Sequence, residues 1–220
     1  YLELSSRRGV ESSVLGRFTD SGSLRVRHGE RTVVCLDLEF LHHGDPQYRL
    51  TARFTPPRHE EPELRVEDPE QALGEMLARP NLCSIESKAR QYDHEVQARA
   101  VLKPFVGVAA DVPSDATVLL ADYDGLEGVV LTEGICPFYS DIDTYWMAAS
   151  ALDLAVRRLV SVGGDPDFVS ALDNFCWPNV VKPNMPERSH KLAQLVRACE
   201  GLYDHCKALG VPLISGKDSM

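Results

Sequence analysis

The alternation of apolar and polar residues predicts strands in the first quarter of the chain. Strands are predicted over Val10–Thr19, Ser23–His28 and Thr32–Phe40, with glycine-containing turns between them. Along Thr32–Phe40 apolar and polar residues alternate, which is typical of an antiparallel strand with one buried face. Three strands without a covering helix bury little core, so we expect residues 1–54 to be an antiparallel β remnant of a larger domain.

Proline and charge dominate the next segment, residues 55–95. Four prolines and several Glu and Arg residues between 55 and 70 predict a linker between domains. A short helix is predicted from Pro69 to Ala78, with Leu73, Met76 and Leu77 on its apolar side.

The pattern changes to mixed strands and helices over residues 96–220. It predicts strands and helices in the order β-β-α-β-α-β: Ala116–Ala121, Gly128–Thr132, Tyr145–Val162, Phe168–Leu172, a helix capped by Ser189 and ended by Gly210, and Val211–Ile214. This order predicts an α+β fold in which two helices cover one face of a sheet.

Composition and charge narrow the classes of function. Hydrophobic residues make up 44% of the chain and charged residues 25%, and the formal net charge is −10. A general nucleic-acid binder needs a basic face, so this charge argues against one. No apolar stretch approaches the ~20 residues of a membrane span. The six cysteines form no CxxC pair and are expected to be reduced thiols of a cytoplasmic protein.

The last residues of the chain carry the most chemistry. The predicted strand Val211–Ile214 leads into Ser215–Met220, a predicted turn that offers backbone N–H groups, an ammonium, a carboxylate and hydroxyls. Phosphate and Mg²⁺ are commonly bound by this combination of groups. It is not a P-loop, because Val211 stands where the first glycine belongs and Asp218 follows the lysine. An ordinary strand-end turn is the alternative. The chain stops directly after it, as expected of a piece of a longer protein.

Three other groups of polar residues are candidates for ligand binding. Asp173 and Asn174 are predicted to follow a strand end, where α/β proteins place ligand groups. Glu133, Asp141 and Asp143 are candidate ligands for Mg²⁺, with solvated loop carboxylates as the alternative. The segment Arg90–Gln97 is dense in polar and aromatic side chains, which favours either a segment that reaches a ligand or a polar helix start.

These segments together resemble one enzyme family. The matching runs are Gly9–Gly16 with Thr19–Val26, Pro80–Asn81, Arg90–Gln97, Asp173–Phe175 and Ser215–Met220, in this order along the chain. They resemble the synthetase part of phosphoribosylformylglycinamidine synthase, the ATP-dependent ligase of purine biosynthesis. The runs of this chain that are most specific to the family are Tyr-Asp-His-Glu-Val at 92–96 and Gly-Lys-Asp-Ser-Met at 216–220.

The resemblance implies a domain order. Residues 1–54 would end a C-terminal-type domain, 55–95 would be a linker, and 96–220 would be a second N-terminal-type domain of the aminoimidazole ribonucleotide synthetase superfamily. The whole protein would convert formylglycinamide ribonucleotide with ATP, Mg²⁺ and ammonia from a glutaminase subunit or domain. We expect an isolated piece of this kind to be inactive and to self-associate through the apolar faces that its partners would cover.

The resemblance also implies site residues. Gly216 and Asp173 would contact ATP, and Ser219 and His94 would contact the substrate. Lys217 stands where many members carry an asparagine that binds Mg²⁺, which leaves Asp218 as a candidate metal ligand.

Three further departures concern ATP and metal binding. Ala171 stands where many members carry an ATP-contacting aspartate, and Leu154 and Arg158 stand where some carry metal-facing Glu and Asn. These departures favour, as an alternative, a non-catalytic domain that binds nucleotide structurally. Another member of the superfamily is a third possibility, against which the Arg90–Gln97 segment and the domain remnant before it argue.

Overall fold

The computed structural model describes residues 1–91 and 97–220, which divide into two units, Tyr1–Arg49 and Leu50–Met220. The predicted boundaries after residues 54 and 95 stay predictions. Within the described residues, no helix is both long and apolar enough to cross a membrane.

In the first unit, a β-hairpin is flanked along the chain by two short helices. The elements of this unit are α1 (Leu2–Arg7), β1 (Ser23–His28), β2 (Arg31–Asp37) and α2 (Leu38–His43). β1 and β2 pair antiparallel, and Leu24 and Val26 lie opposite Leu36 and Val34. Gly29 at the turn has a φ of +60°, a conformation that glycine adopts without steric cost. The predicted strand Ser23–His28 is therefore confirmed.

Two predictions for this unit are wrong. Val10–Thr19 has no regular structure, and Phe18 within it is fully exposed. A strand needs a pairing partner as well as alternation, and the tight turn gives β1 to β2 instead. The strand predicted to reach Phe40 ends at Asp37, whose side chain accepts hydrogen bonds from the backbone N–H groups of Glu39 and Phe40 and so caps α2.

The second unit contains four helices and seven strands among its described residues. Its helices are α3 (Pro69–Leu77), α4 (Glu86–Gln91), α5 (Thr144–Ser161) and α6 (Arg188–Leu209), with a 3-10 helix at Pro137–Asp141. Its strands are β3 (Ala100–Leu102), β4 (Phe105–Val106), β5 (Val112–Pro113), β6 (Thr117–Leu120), β7 (Gly128–Leu131), β8 (Ala171–Cys176) and β9 (Leu213–Ser219).

The predicted order β-β-α-β-α-β is present as β6-β7-α5-β8-α6-β9, but these strands do not form one sheet. β6 pairs antiparallel with β3 and β7, whereas β8 and β9 form a separate parallel pair. β4 and β5 form a third, antiparallel pair. The chain is thus α+β, as predicted. The prediction that two helices cover one face of a single sheet is wrong. Hydrophobic pattern fixes where strands lie along a chain, not which strands pair.

Small residues let α5 and α6 approach closely. A Cβ added to Gly201 of α6 would meet the backbone of Tyr145 in α5. Nearby, the hydroxyl of Thr144, almost fully buried, donates to the carbonyl of Gln194 at 2.6 Å. The buried residues of α6 are Ala193, Gln194, Ala198, Gly201 and Cys206. The sequence pattern predicts a different apolar stripe on this helix, made of Leu192, Leu195, Val196, Cys199, Leu202, Cys206 and Leu209. Of this stripe only Cys206 is among the buried residues, and Val196, Cys199 and Leu209 are exposed.

The hydrophobic core lies where these helices meet β8. Leu152, Cys206 and Val211 are buried together, and Val156, Val169, Ala171 and Leu202 pack around them. Gly210 ends α6 with a φ of +69° and turns the chain towards β9, which confirms its predicted role. Ser189, predicted as the N-cap, lies inside α6 instead, because the helix begins at Arg188.

We predict that Gly201→Ala destabilises the protein although alanine favours helix. The added methyl group would press on the α5 backbone, and such overpacking costs about 1–3 kcal/mol. Gly74→Ala in α3 is the matched control, because no atom lies within 4 Å of its added Cβ. It should stabilise α3 by up to about 1 kcal/mol. Urea unfolding of both variants decides this, and a Gly201→Ala variant as stable as Gly74→Ala would refute the close crossing.

Candidate functional site

The residues predicted to bind ATP and substrate at the chain's end lie in strands, not in loops. Asp173 and Asn174 lie within β8, and Gly216 to Ser219 lie within β9. The strands predicted at Phe168–Leu172 and Val211–Ile214 are therefore displaced towards the carboxyl end. The parallel ladder explains the shift, because it starts where the N–H of Ala171 donates to Pro212 O at 2.9 Å and continues to Cys176 opposite Ser219.

Pairing in β9 also changes which backbone groups are available. A strand uses only half of its N–H groups towards one neighbour, and β8 is the neighbour of β9 in the described residues. The free N–H groups expected from a turn are thus replaced by those on the open edge of β9.

Asp173 and Gly216 face each other across the ladder. They are register partners, and the Asp173 carboxylate occupies the place where a side chain on residue 216 would lie. An ideal Cβ on residue 216 would stand 3.0 Å from Asp173 Cγ. The structure therefore brings together the two residues predicted to contact ATP, and only glycine at 216 leaves the carboxylate in this position.

Because side chains alternate along a strand, the negatively and positively charged side chains of the site lie on opposite faces of the β8–β9 pair. Asp173 and Asp218 lie on the face of the β8–β9 pair that α6 covers, whereas Lys217 and Ser219 lie on the opposite face. This arrangement affects the thiol of Cys199 on α6, whose pKa is raised by partial burial and then by the negative charges of Asp218 and Asp173. The pKa of Cys206 is raised by burial and then by Asp173.

A groove of about 660 Å³ runs along the acidic face. Its walls come from β8, the carboxyl-terminal half of α6 and the start of β9, and include Asp173, Phe175, Tyr203 and Lys207. The groove is mainly apolar, with the Asp173 carboxylate at the side where Gly216 lies.

On the other face, Lys217 and Ser219 are in direct contact. Lys217 Nζ donates to Ser219 Oγ at 2.8 Å. The backbone of Ser219 is fixed as well, because its carbonyl accepts from the N–H of Trp177 at 2.8 Å. The indole Nε1 of Trp177 donates in turn to the carbonyl of Lys191 in α6 at 2.9 Å. The end of β9 is thus connected to α6.

The carboxylate of Asp143 is engaged in contacts within the fold. It accepts from Nε of Arg197 at 2.9 Å and from the N–H of Tyr145 at 3.0 Å, which caps α5. Arg197, through its hydrogen bonds, holds the pKa of Asp143 below its ordinary value. No group of three or more His, Cys, Asp or Glu side chains is arranged for a metal ion in residues 1–91 and 97–220.

The other candidate carboxylates have structural contacts through their backbones. The carbonyl of Asp141 accepts from Nε2 of His59 at 2.7 Å, and that of Glu133 accepts from Nη1 of Arg158 at 2.7 Å. Arg158 also lies 3.3 Å from Asp115. Arg158, which stands where some family members carry a metal-facing residue, is therefore engaged in contacts within the unit.

Two candidate features remain to be placed. In the polar segment Arg90–Gln97, Arg90 is bound by Glu86 and lies over the ring of Phe105. His94, predicted to contact substrate, lies outside the described residues. All six cysteines are free thiols, as predicted.

Sequence reasoning missed Arg197 and Phe54. The guanidinium of Arg197 stacks 4.5 Å from the ring centroid of Phe54, and that ring also stacks on His190 at 5.6 Å. Residues 53–55 thus dock on α6, although 55–70 reads as linker. The only sequence signal for this contact was Arg197 itself, an arginine within the predicted helix that lies, in the structure, on the side facing α5.

The comparisons with known proteins agree with one another. Residues 113–220 match the family described as AIR synthase related protein, N-terminal domain. The chain is 29% identical to the phosphoribosylformylglycinamidine synthase subunit PurL of Thermoplasma acidophilum, over 99% of this chain and 28% of that protein. It is 31% identical to the PurL subunit of Methanopyrus kandleri, over 100% of this chain and 28% of that protein.

Solved structures show the same fold. "T. maritima PurL complexed with ADP" aligns with a TM-score of 0.54 and 22% identity, over 90% of this chain and 28% of that one. "Structure of PurLQS from Thermotoga maritima" aligns with a TM-score of 0.54 and 23% identity, over 91% and 28%. The chain thus spans about 28% of the length of these relatives.

We predict that Asp143→Asn lowers stability near neutral pH and less so in acid. Asparagine still caps a helix, so the change isolates the loss of the charge paired with Arg197, about 1–2 kcal/mol. Because the folded pKa is below the ordinary value of 3.8, the carboxylate's contribution is complete above that value and is lost as pH falls through the folded pKa.

The measurement is the free energy of urea unfolding of wild type and Asp143→Asn from pH 7 down to about pH 3. Asp153→Asn is the control, since Asp153 and Arg157 form an exposed pair on α5 whose loss should change little. A constant difference between wild type and Asp143→Asn across this range would contradict the prediction.

Proposed function

We propose, on the premise that this chain is a relative of the PurL subunit of phosphoribosylformylglycinamidine synthase, that it forms part of an ATP-dependent carbon–nitrogen ligase of purine biosynthesis. The reaction would convert formylglycinamide ribonucleotide, ATP and ammonia to formylglycinamidine ribonucleotide. The full protein would work in the cytoplasm and take its ammonia from a glutaminase subunit or domain.

One observation carries the proposal: Asp173 lies against Gly216 midway along two parallel strands, three residues before Cys176 and Ser219 at the carboxyl ends of these strands. Ligands of open α/β sheets bind at the carboxyl ends of their strands. A glycine there lets a phosphate approach the backbone, and the open edge of β9 supplies N–H donors. We assign Gly216 and Asp173 to the nucleotide and Ser219 to the ribonucleotide substrate. His94 is assigned to the substrate by family resemblance alone.

The acidic face is suited to Mg²⁺ once a nucleotide is bound. Mg²⁺ is usually held by one or two carboxylates together with substrate phosphates and water. Asp173 and Asp218 share a face of the β8–β9 pair and could supply those carboxylates. The ammonium of Lys217 cannot ligate a metal ion, so Asp218 is the proposed ligand near this end of β9.

The proposed reaction depends mainly on how ATP, the substrate and ammonia are positioned relative to one another. ATP would convert the amide oxygen of the substrate into a phosphoryl ester, and ammonia would then displace phosphate. Fixed donors near the phosphates supply most of the stabilisation in such reactions. The described residues need therefore contribute no general base.

A second function is a nucleotide site that stabilises the protein without turning over. Two observations favour it: Ala171 packs against the core where many members carry an ATP-contacting aspartate, and Arg158 is engaged with Asp115 and Glu133. Self-association of the chain through its exposed apolar residues is a further proposal.

We predict that Ser219→Ala in the full-length protein raises KM for formylglycinamide ribonucleotide. A hydrogen bond to a charged phosphate is worth about 1.5–3 kcal/mol, or roughly a 10- to 100-fold rise. Val211→Ala is the control, because Val211 is buried in the core and its truncation should lower thermal stability with little change in KM.

Steady-state formation of formylglycinamidine ribonucleotide, with ATP and ammonium supplied, measures both variants. Wild-type KM and kcat for Ser219→Ala would remove the substrate role of this strand. If Gly216→Val abolished nucleotide retention and lowered thermal stability while KM and kcat stayed normal, the stabilising site would be the better account.

A further inference from the structure

The contact between Lys217 and Ser219 defines the hydrogen-bonding state of the serine hydroxyl. A lysine ammonium has three donors and no acceptor, so Ser219 Oγ must accept in the 2.8 Å hydrogen bond from Nζ. The hydroxyl proton of Ser219 is then left for another acceptor. The remaining N–H donors of Lys217 are likewise available on this exposed face.

A third polar side chain shares this face. Asn174 is the register partner of Lys217 across the ladder, and strand alternation places both on the side opposite Asp173 and Asp218. The face therefore presents an ammonium, a hydroxyl and an amide, all of which can donate hydrogen bonds. The two aspartates of these strands point to the other side. An anion suits this combination and a metal ion does not.

The backbone beneath the pair is fixed, which favours a preorganised site. The carbonyl of Ser219 accepts from the N–H of Trp177 at 2.8 Å, and the Trp177 indole binds the carbonyl of Lys191 in α6. The Ser219 hydroxyl is thus presented from a strand end that is held by a helix. Preorganised donors bind a charged group with less ordering cost than mobile ones.

We propose that Lys217 is a positioning residue that orients the Ser219 hydroxyl as a donor and supplies a fixed positive charge, so that Asn174, Lys217 and Ser219 bind the phosphate group of the ribonucleotide substrate without a bridging metal ion. This inference rests on the proposed function for the identity of the substrate. The anion-binding character of the face rests on the geometry of β8 and β9 alone.

The first test is the kinetics of the full-length protein with four variants. Lys217→Gln removes the charge, and KM for formylglycinamide ribonucleotide should rise about 10- to 100-fold with a smaller change in kcat. Lys217→Arg keeps the charge and should recover part of the loss. The double variant Lys217→Gln/Ser219→Ala should lose much less than the sum of the losses of Lys217→Gln and Ser219→Ala, because part of the effect of the lysine is exerted through the hydroxyl. Lys182→Gln, the same charge change in an exposed loop, should match wild type.

The second test uses inorganic phosphate as the probe and needs no turnover. Phosphate should raise the thermal unfolding temperature of wild type and of Lys182→Gln, and should protect Lys217→Gln far less. Replacing phosphate by chloride at equal ionic strength separates a phosphate site from general screening.

The outcomes separate this inference from the proposed function. Turnover by wild type, with KM and phosphate protection unchanged in Lys217→Gln, would overturn the inference alone. Additive losses in the double variant would overturn the action of Lys217 through Ser219. Absence of turnover by the full-length wild type, with phosphate protection that depends on Lys217, would remove the proposed function and support the anion-binding face.

Discussion

The close crossing of α5 and α6 is the constraint on which the second unit depends. Gly201 allows the α6 backbone to approach Tyr145, and the buried hydroxyl of Thr144 and the Asp143–Arg197 pair fix the helices beside that point. α5 leads to β8, and α6 connects β8 to β9. The position of α6 therefore decides where the two parallel strands meet and which residues share their faces.

The chemistry of the β8–β9 pair follows from its register. A shift of one residue in either strand would move Asp173 away from Gly216 and mix the two faces, since side chains alternate along a strand. In the observed register the carboxylates of Asp173 and Asp218 lie together towards α6, and Lys217 lies with Ser219 on the other side. One short ladder thus presents a face for cations and a face for anions.

The aspartates of the second unit have different roles, and burial distinguishes Asp143 from Asp173. Asp143 is largely shielded from solvent and paired with Arg197, so its charge stabilises the join of the two helices. Asp173 lies at a groove and lacks such a pair among the described contacts, which leaves its carboxylate for a ligand. Composition alone treats the two residues alike, because both are aspartates.

The sequence by itself determined the α+β class, the hairpin strand Ser23–His28, the helices at 69–77, 144–161 and 188–209 to within a few residues, and the two runs that carry candidate chemistry. Periodicity and capping residues are local signals, and these features are local. The family resemblance found from Asp173–Phe175 and Ser215–Met220 depends on the same local runs.

Only the tertiary structure decided the pairing of β8 with β9, the placement of Gly216 to Ser219 in a strand, and the small-residue face of α6. Strand pairing joins residues more than forty positions apart, and no local pattern encodes the choice of partner. The face of α6 that packs most closely against α5 carries small residues, so a search for large apolar residues finds Leu202 and Cys206 of the core but misses the side that meets α5. Backbone approach between distant segments is a property of the folded chain, because each segment supplies only half of the contact.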